Sequence, residues 1–216
     1  MLLNFIDYWK SKTFLQIFTI YIRYLIGGAF IMAAFGMGKI DGTSNLIGSM
    51  DKPIQDLMPL QQFFRVMTDS GLYWKFFGWA QIVAGMLLMT QWLAKVGALI
   101  FFSIILNIFV VTLSYDFAGT LLVTALMLLA TVYLIIWDMR TFLILVNDNL
   151  VFSKPILSVH DSPFWVLLGV VLLVSVLVCA SLKIHLLIQI TLCIGEGFAG
   201  LLYFFIVHQR KITPQL

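Results

Sequence analysis

The chain has few charged residues, and this shortage excludes a water-soluble globular fold. Lysine, arginine, aspartate and glutamate make up 11% of the 216 residues, whereas a soluble domain carries about 25%. Hydrophobic residues make up 62% and the mean hydropathy is +1.03, so polar groups cannot cover a surface in water. The net charge of +3 is too small to predict a nucleic-acid partner.

The chain is also poor in residues that bind metals. Its three histidines lie at predicted loops or span ends, without the spacing of a metal or haem pair. Its two cysteines lie inside the last two predicted spans without C-x-x-C spacing. We interpret them as inert packing residues, with a bridge between adjacent helices left open. The spacing of the histidines and cysteines therefore predicts no haem or metal site. The sequence also contains no phosphate-binding glycine loop and no Ser/His/Asp motif.

Long apolar runs, by contrast, fill most of the chain. A helix rises about 1.5 Å per residue and must cross about 30 Å of hydrocarbon, and six runs are long enough. A β-barrel would instead show short alternating segments. We therefore predict an all-α polytopic membrane protein with six spans: Phe14–Gly36, Phe76–Leu93, Val96–Leu113, Phe117–Trp137, Phe164–Leu182 and Leu186–Val207.

The connections between the runs suggest an orientation and a division of the chain. The short loop Ser114–Asp116 has no basic residue, and the positive-inside bias favours both termini in the cytoplasm of a bacterial inner-membrane protein. Residues 1–140 are predicted to form a four-helix membrane core, 141–162 a cytoplasmic linker, and 163–216 a transmembrane hairpin and tail. Between Ile54 and Met67 apolar residues recur near helical spacing, which predicts a short helix on the membrane or capping the bundle.

Two charges inside the apolar runs are the first candidates for a site. Arg23 and Glu196 lie deep in the first and last spans, where an ionised side chain is costly and seldom kept without a partner or purpose. Counting residues from the cytoplasmic ends places both, together with Gln81, close to the midplane. We therefore hypothesise that Arg23 and Glu196 are counter-ions, with Gln81 bridging them.

Several interpretations of these charges stay open. The pair could fix helix register, or Arg23 could extend to the inner interface while Glu196 is protonated. The functional interpretation is that these polar residues form the base of a cavity for a quinone, a lipid headgroup or a small solute.

Polar side chains also recur along one face of the third span, where Asn107 is one of them, and along one face of the fourth span. Hydrogen bonds between these two neighbouring helices explain both polar faces. Tryptophans near the span ends, Trp74 and Trp165 among them, are interpreted as an interfacial belt.

Four segments carry a resemblance to a known family. They are R-Y-L-I-G-G-A-F-I-M-A-A-F-G-M-G-K-I from Arg23, F-G-W-A-Q-I-V-A-G-M-L-L-M from Phe77, L-N-I-F-V-V-T-L-S-Y-D-F-A-G-T from Leu106, and W-D-M-R from Trp137. In their order and spacing they resemble the DoxX family of small integral membrane proteins, over about residues 14–140. The last two spans, with Glu196, are an addition to the short family members.

The resemblance implies a compact four-helix membrane bundle linked to membrane redox work, including quinone reduction. The first expected function is therefore an accessory subunit of a membrane complex, with quinone as the candidate cofactor. The alternative is a binder or transporter of a small solute or lipid that uses the midplane polar residues. By analogy with the family, the positions to test are Arg23, Lys39, Gln81, Asn107 and Asp138.

Overall fold

A computed structural model describes residues 2–41, 53–115, 118–146 and 162–212 of the chain. These residues form α-helices and one short 3-10 helix, and contain no β-strand, so the predicted all-α class is confirmed. The helices are α1 (Leu2–Lys10), α2 (Thr13–Gly36), α3 (Pro59–Asp69), α4 (Leu72–Met89), α5 (Ala94–Ser114), α6 (Ala118–Trp137), α7 (Met139–Val146), α8 (Pro163–Ser181) and α9 (Leu186–Ile212).

Six of these helices, α2, α4, α5, α6, α8 and α9, are long and apolar enough to cross a membrane. The six predicted spans are confirmed, and the second of them is shifted along the sequence. The second span begins at Leu72 and ends at Met89, four residues earlier at each end than predicted. The helix stops there because Gln91 has a left-handed backbone, with φ of 60°, which an α-helix cannot include.

The first four spans form a bundle with its own apolar core. Buried side chains from α2, α4, α5 and α6 meet in one cluster, in which the rings of Phe30 and Phe101 stack with centroids 3.9 Å apart. Helices α2 and α4 approach closely because Gly27 and Gly85 face each other. A Cβ on Gly85 would lie 2.6 Å from the Gly27 carbonyl oxygen, so side chains are excluded at this crossing.

The last two spans pack on the other side of α2. Helix α8 shares a second apolar cluster with α2 and Met89, while α9 packs mainly on α8. The thiols of Cys179 and Cys193 are free. Most of the predicted linker lies outside the described residues, and α7 occupies its beginning. The division into core and hairpin stays a prediction.

We call the end of the bundle where α2 begins and α9 finishes the near end, and the end where α2 finishes the far end. Helix α3 confirms the predicted short helix and lies at the far end, where the ring of Phe64 contacts Trp74 of α4 with centroids 6.3 Å apart. A second ring of α3, Phe63, lies 5.7 Å from the ring of Tyr115 at the end of α5, so α3 contacts the bundle through its aromatic residues.

Candidate functional site

Arg23 lies at the centre of a buried polar network at the near end. Its Nη2 donates to Asp138 Oδ2 at 2.9 Å, and its Nη1 donates to Gln91 Oε1 at 2.7 Å. All three side chains are buried. The left-handed turn after α4 holds Gln91 in place, and the Asp138 carbonyl accepts from Thr141 N at 2.9 Å in the first turn of α7.

The predicted ion pair between Arg23 and Glu196 is therefore wrong, and so is the bridging role of Gln81. Side chains on a helix lean toward its amino terminus, and that direction carries the Arg23 guanidinium to the near end. Glu196 faces α8, where its Oε1 accepts from Ser175 Oγ at 2.7 Å. Its Oε2 is buried without a hydrogen-bond partner among the described residues.

Gln81 belongs to a different site, with Lys39. After α2, Gly38 adopts a left-handed backbone with φ of 66°, and Lys39 N donates back to Ala34 O at 3.0 Å. This helix-ending turn directs the Lys39 side chain across Gly78 of α4. Its Nζ donates to Gln81 Oε1 at 2.6 Å and lies 4.8 Å from the ring centroid of Phe77.

The environment of Lys39 is unusual for a cation. Its side chain is only 3% exposed, and no carboxylate among the described residues forms an ion pair with it. Lys39 lies beyond the end of the first span, and burial lowers its pKa to about 7. The nearby Trp74 is 1% exposed, so its interpretation as an interfacial belt residue is wrong, and the same holds for the fully buried Trp165.

Asn107 takes no part in any of these sites. Its side chain is exposed on the outer face of α5, as are Ser103 and Ser114. The hydroxyls of both serines donate to backbone carbonyls of their own helix. The hydrogen bond observed between α5 and α6 joins Thr112 and Thr124 instead, at 3.1 Å. Asn107 is therefore separated from the other predicted site residues.

A large apolar crevice, which the sequence did not predict, runs between α2, α8 and α9. Its volume is about 500 Å³, within the range of ligand pockets in proteins. Gly28 and Gly197 leave room by having no side chains. The hydroxyls of Tyr21 and Tyr24 are bonded to backbone carbonyls, which leaves an apolar lining. Exposed residues form the rim, so the crevice opens to the outer surface: Leu25, Ile194 and Phe198.

A second, more polar cavity lies next to the crevice at the far end and is called the mouth below. This mouth has a volume of about 480 Å³, and Met32 lines both cavities. Ser181 and Gln189 contribute polar groups to the mouth. Lys183 Nζ lies 3.6 Å from Asp41 Oδ2 at its edge. The two cavities therefore lie next to each other along α2, with an apolar lining in the crevice and four polar or charged side chains at the mouth.

Comparisons with known proteins do not assign this site. No protein-family model matches the chain, and searches of curated proteins and of solved structures find no match. The residues that the structure describes hold no group of three or more His, Cys, Asp or Glu side chains that could bind a metal ion. What this site can bind must therefore be argued from its own geometry.

Proposed function

We propose that the protein binds a membrane amphiphile, with the apolar chain in the crevice between α2, α8 and α9 and the polar head in the mouth. The observation that carries this proposal is that Met32 lines both cavities, which places the polar mouth next to the apolar crevice. From Tyr21 to Gly36 the two cavities together follow α2 for about 22 Å, at about 1.5 Å per residue. A ligand with one long chain and a polar head has this shape.

The chemistry of the two cavities supports the same ligand class. The crevice offers no free polar group to a ligand head, since both of its tyrosine hydroxyls are bonded to the backbone. The mouth offers Lys183, which is 78% exposed and can meet a phosphate or carbonyl oxygen. A phospholipid and an isoprenoid quinone both have this arrangement. The resemblance to the DoxX family favours the quinone.

Replacing Gly28 by leucine should block the crevice and abolish binding. A Cβ at Gly28 would make only ordinary contacts, 3.8 Å from Val176 and 3.9 Å from Met89, so the rest of the new side chain must enter the open space. Native mass spectrometry of the purified protein, titrated separately with phosphatidylglycerol and with a decyl-chain benzoquinone, would measure occupancy. We expect at least a tenfold loss for the ligand that the normal protein retains.

The matched control is the same substitution at Gly119, where an added Cβ meets nothing within 4 Å. Gly119→Leu should bind the ligand as the normal protein does. Equal occupancy in Gly28→Leu and Gly119→Leu would refute the proposed crevice site. The ligand that responds identifies the class, and a change of Lys183 to methionine should then weaken a phosphate-bearing ligand more than a quinone.

The accessory-subunit role is a second proposal, supported by the outer face of α9. A groove of about 510 Å³ runs along this face, and the polar side chains of Thr191 and Glu196 lie among its apolar residues. Glu196 Oε2 has no hydrogen-bond partner among the described residues, and a polar group left unsatisfied in a membrane span is costly unless a neighbouring helix supplies a partner. A membrane-spanning helix of a partner subunit would cover this groove.

Glu196→Gln should weaken such a complex. After purification in mild detergent, we expect a stoichiometric partner with the normal protein and at least a tenfold smaller yield of it with the variant. Asn107→Leu, which changes an exposed polar residue on the opposite side of the molecule, is the control and should retain the partner. A normal protein that stays alone under these conditions would rule out the accessory role while leaving the amphiphile proposal intact.

A further inference from the structure

A cluster of hydrogen-bond donors with few acceptors lies between α2 and α4, away from the crevice. Lys39 has three N–H groups and donates one to Gln81 Oε1 at 2.6 Å. Trp74 has one, and its Nε1 is buried without an acceptor among the described residues. Lys39 Nζ lies 5.4 Å from the centroid of the Trp74 ring, so both donors belong to one site.

Unpartnered donors at this depth are costly, and native structures seldom keep them without a partner such as water or a ligand. The lysine, tryptophan and glutamine are each at least 97% buried, with exposures of 3%, 1% and 1%. The aromatic rings of Trp74 and Phe77 line the ammonium group and supply no lone pair. Among the described residues, Gln81 Oε1 is therefore the one oxygen acceptor bonded to this cluster, and the Trp74 N–H is left without one.

We propose that Lys39 and Trp74 bind a carboxylate or carbonyl oxygen of a small ligand, with Gln81 positioning the ammonium group. The oxygen completes the hydrogen bonds of both donors, and a carboxylate also neutralises the lysine. At the far end the site borders α3, whose Phe64 lies against Trp74. This site is independent of the amphiphile crevice, since it lies on the α4 side of α2. The ligand oxygen can come from a water-soluble carboxylate or from a fatty acid in the bilayer.

The test is a titration followed at the Trp74 indole. The protein in lipid nanodiscs is labelled with ¹⁵N-indole tryptophan, and the Trp74 N–H resonance is assigned by its loss in Trp74→Phe. Sodium formate is added at a fixed high chloride concentration, and decanoate is added separately to the bilayer. We expect the Trp74 resonance to move saturably with one probe, and that probe identifies the source of the oxygen.

In Lys39→Met the affinity for the same probe should fall at least tenfold. Lys75→Met, at an exposed lysine of α4, should titrate as the normal protein does. Trp74→Phe keeps an aromatic ring but removes the indole N–H. The probe should therefore raise the unfolding temperature of this variant less than it raises that of the normal protein. The proposal is overturned if neither probe moves the resonance, which would leave water as the acceptor, or if Lys39→Met binds the probe unchanged.

Discussion

Replacing Asp138 by alanine should cost the bundle about 3–5 kcal/mol of unfolding free energy, the range measured when one partner of a buried ion pair is removed. The variant leaves Arg23, which is 3% exposed, with Gln91 as its remaining hydrogen-bond partner. No second carboxylate among the described residues forms an ion pair with Arg23 and could replace the lost charge. Unfolding in mixed detergent micelles, followed by circular dichroism, would measure the loss.

Two comparisons separate this effect from a general loss of charge. Asp7→Ala removes the partner of Arg140 from an ion pair whose side chains are 26% and 27% exposed, and should cost about 1 kcal/mol or less. The double change of Arg23 to methionine and Asp138 to leucine removes both charges, and should recover most of the stability. If Asp138→Ala is no more harmful than Asp7→Ala, the network does not hold the near end together.

The spans could be predicted from the sequence because hydrophobicity over about twenty residues is a local property. Their boundaries depend on single backbone conformations. Hydropathy extends the second span through Leu93 because Trp92 and Leu93 are apolar, whereas the left-handed backbone of Gln91 ends the helix before them. For the same reason hydropathy does not reveal Gln91 as a partner of Arg23, since it places Gln91 inside a span instead of in a turn.

The partners of the buried charges cannot be predicted from the sequence, because residue counting gives the depth of a side chain in the membrane and not the rotation of its helix. Residue counting places Arg23, Gln81 and Glu196 at one height, but they face three different neighbours: Asp138, Lys39 and Ser175. The alternative of an Arg23 that extends to the interface is not what the structure shows either, since Arg23 is 3% exposed and paired with Asp138. Asp138 was a candidate through the family resemblance, without its partner.

The crevice was not predictable for a related reason. Its volume depends on how α9 sits against α2 and α8, and an apolar helix sequence does not specify this distance. Gly28 and Gly197 were visible as small residues, and such residues more often mark close packing. The structure separates the two roles: a Cβ would clash at Gly27 and Gly85, whereas it would fit at Gly28.

Gly169→Ala should be the most damaging of the glycine substitutions, because it acts where α8 rests on the end of α4. An added Cβ would overlap the Met89 carbonyl oxygen and lie 2.8 Å from Tyr24 Cε1. A backbone carbonyl cannot move aside as a flexible side chain can, so α8 must shift outward. Overpacking of this kind costs about 1–3 kcal/mol, occasionally more, and the same unfolding experiment would measure it.

Gly28→Ala is the control, since its Cβ makes ordinary contacts and removes a flexible glycine from a helix interior. Its unfolding free energy should increase by about 0.5–1 kcal/mol.

An outward shift of α8 in Gly169→Ala would also widen the crevice, which α8 lines with Leu172 and Val176. Amphiphile affinity should then fall together with stability, and equal stability of the two variants would mean that α8 does not rest on α4 as described. The two measurements thus link the packing of the last hairpin to the ligand that the fold is proposed to hold.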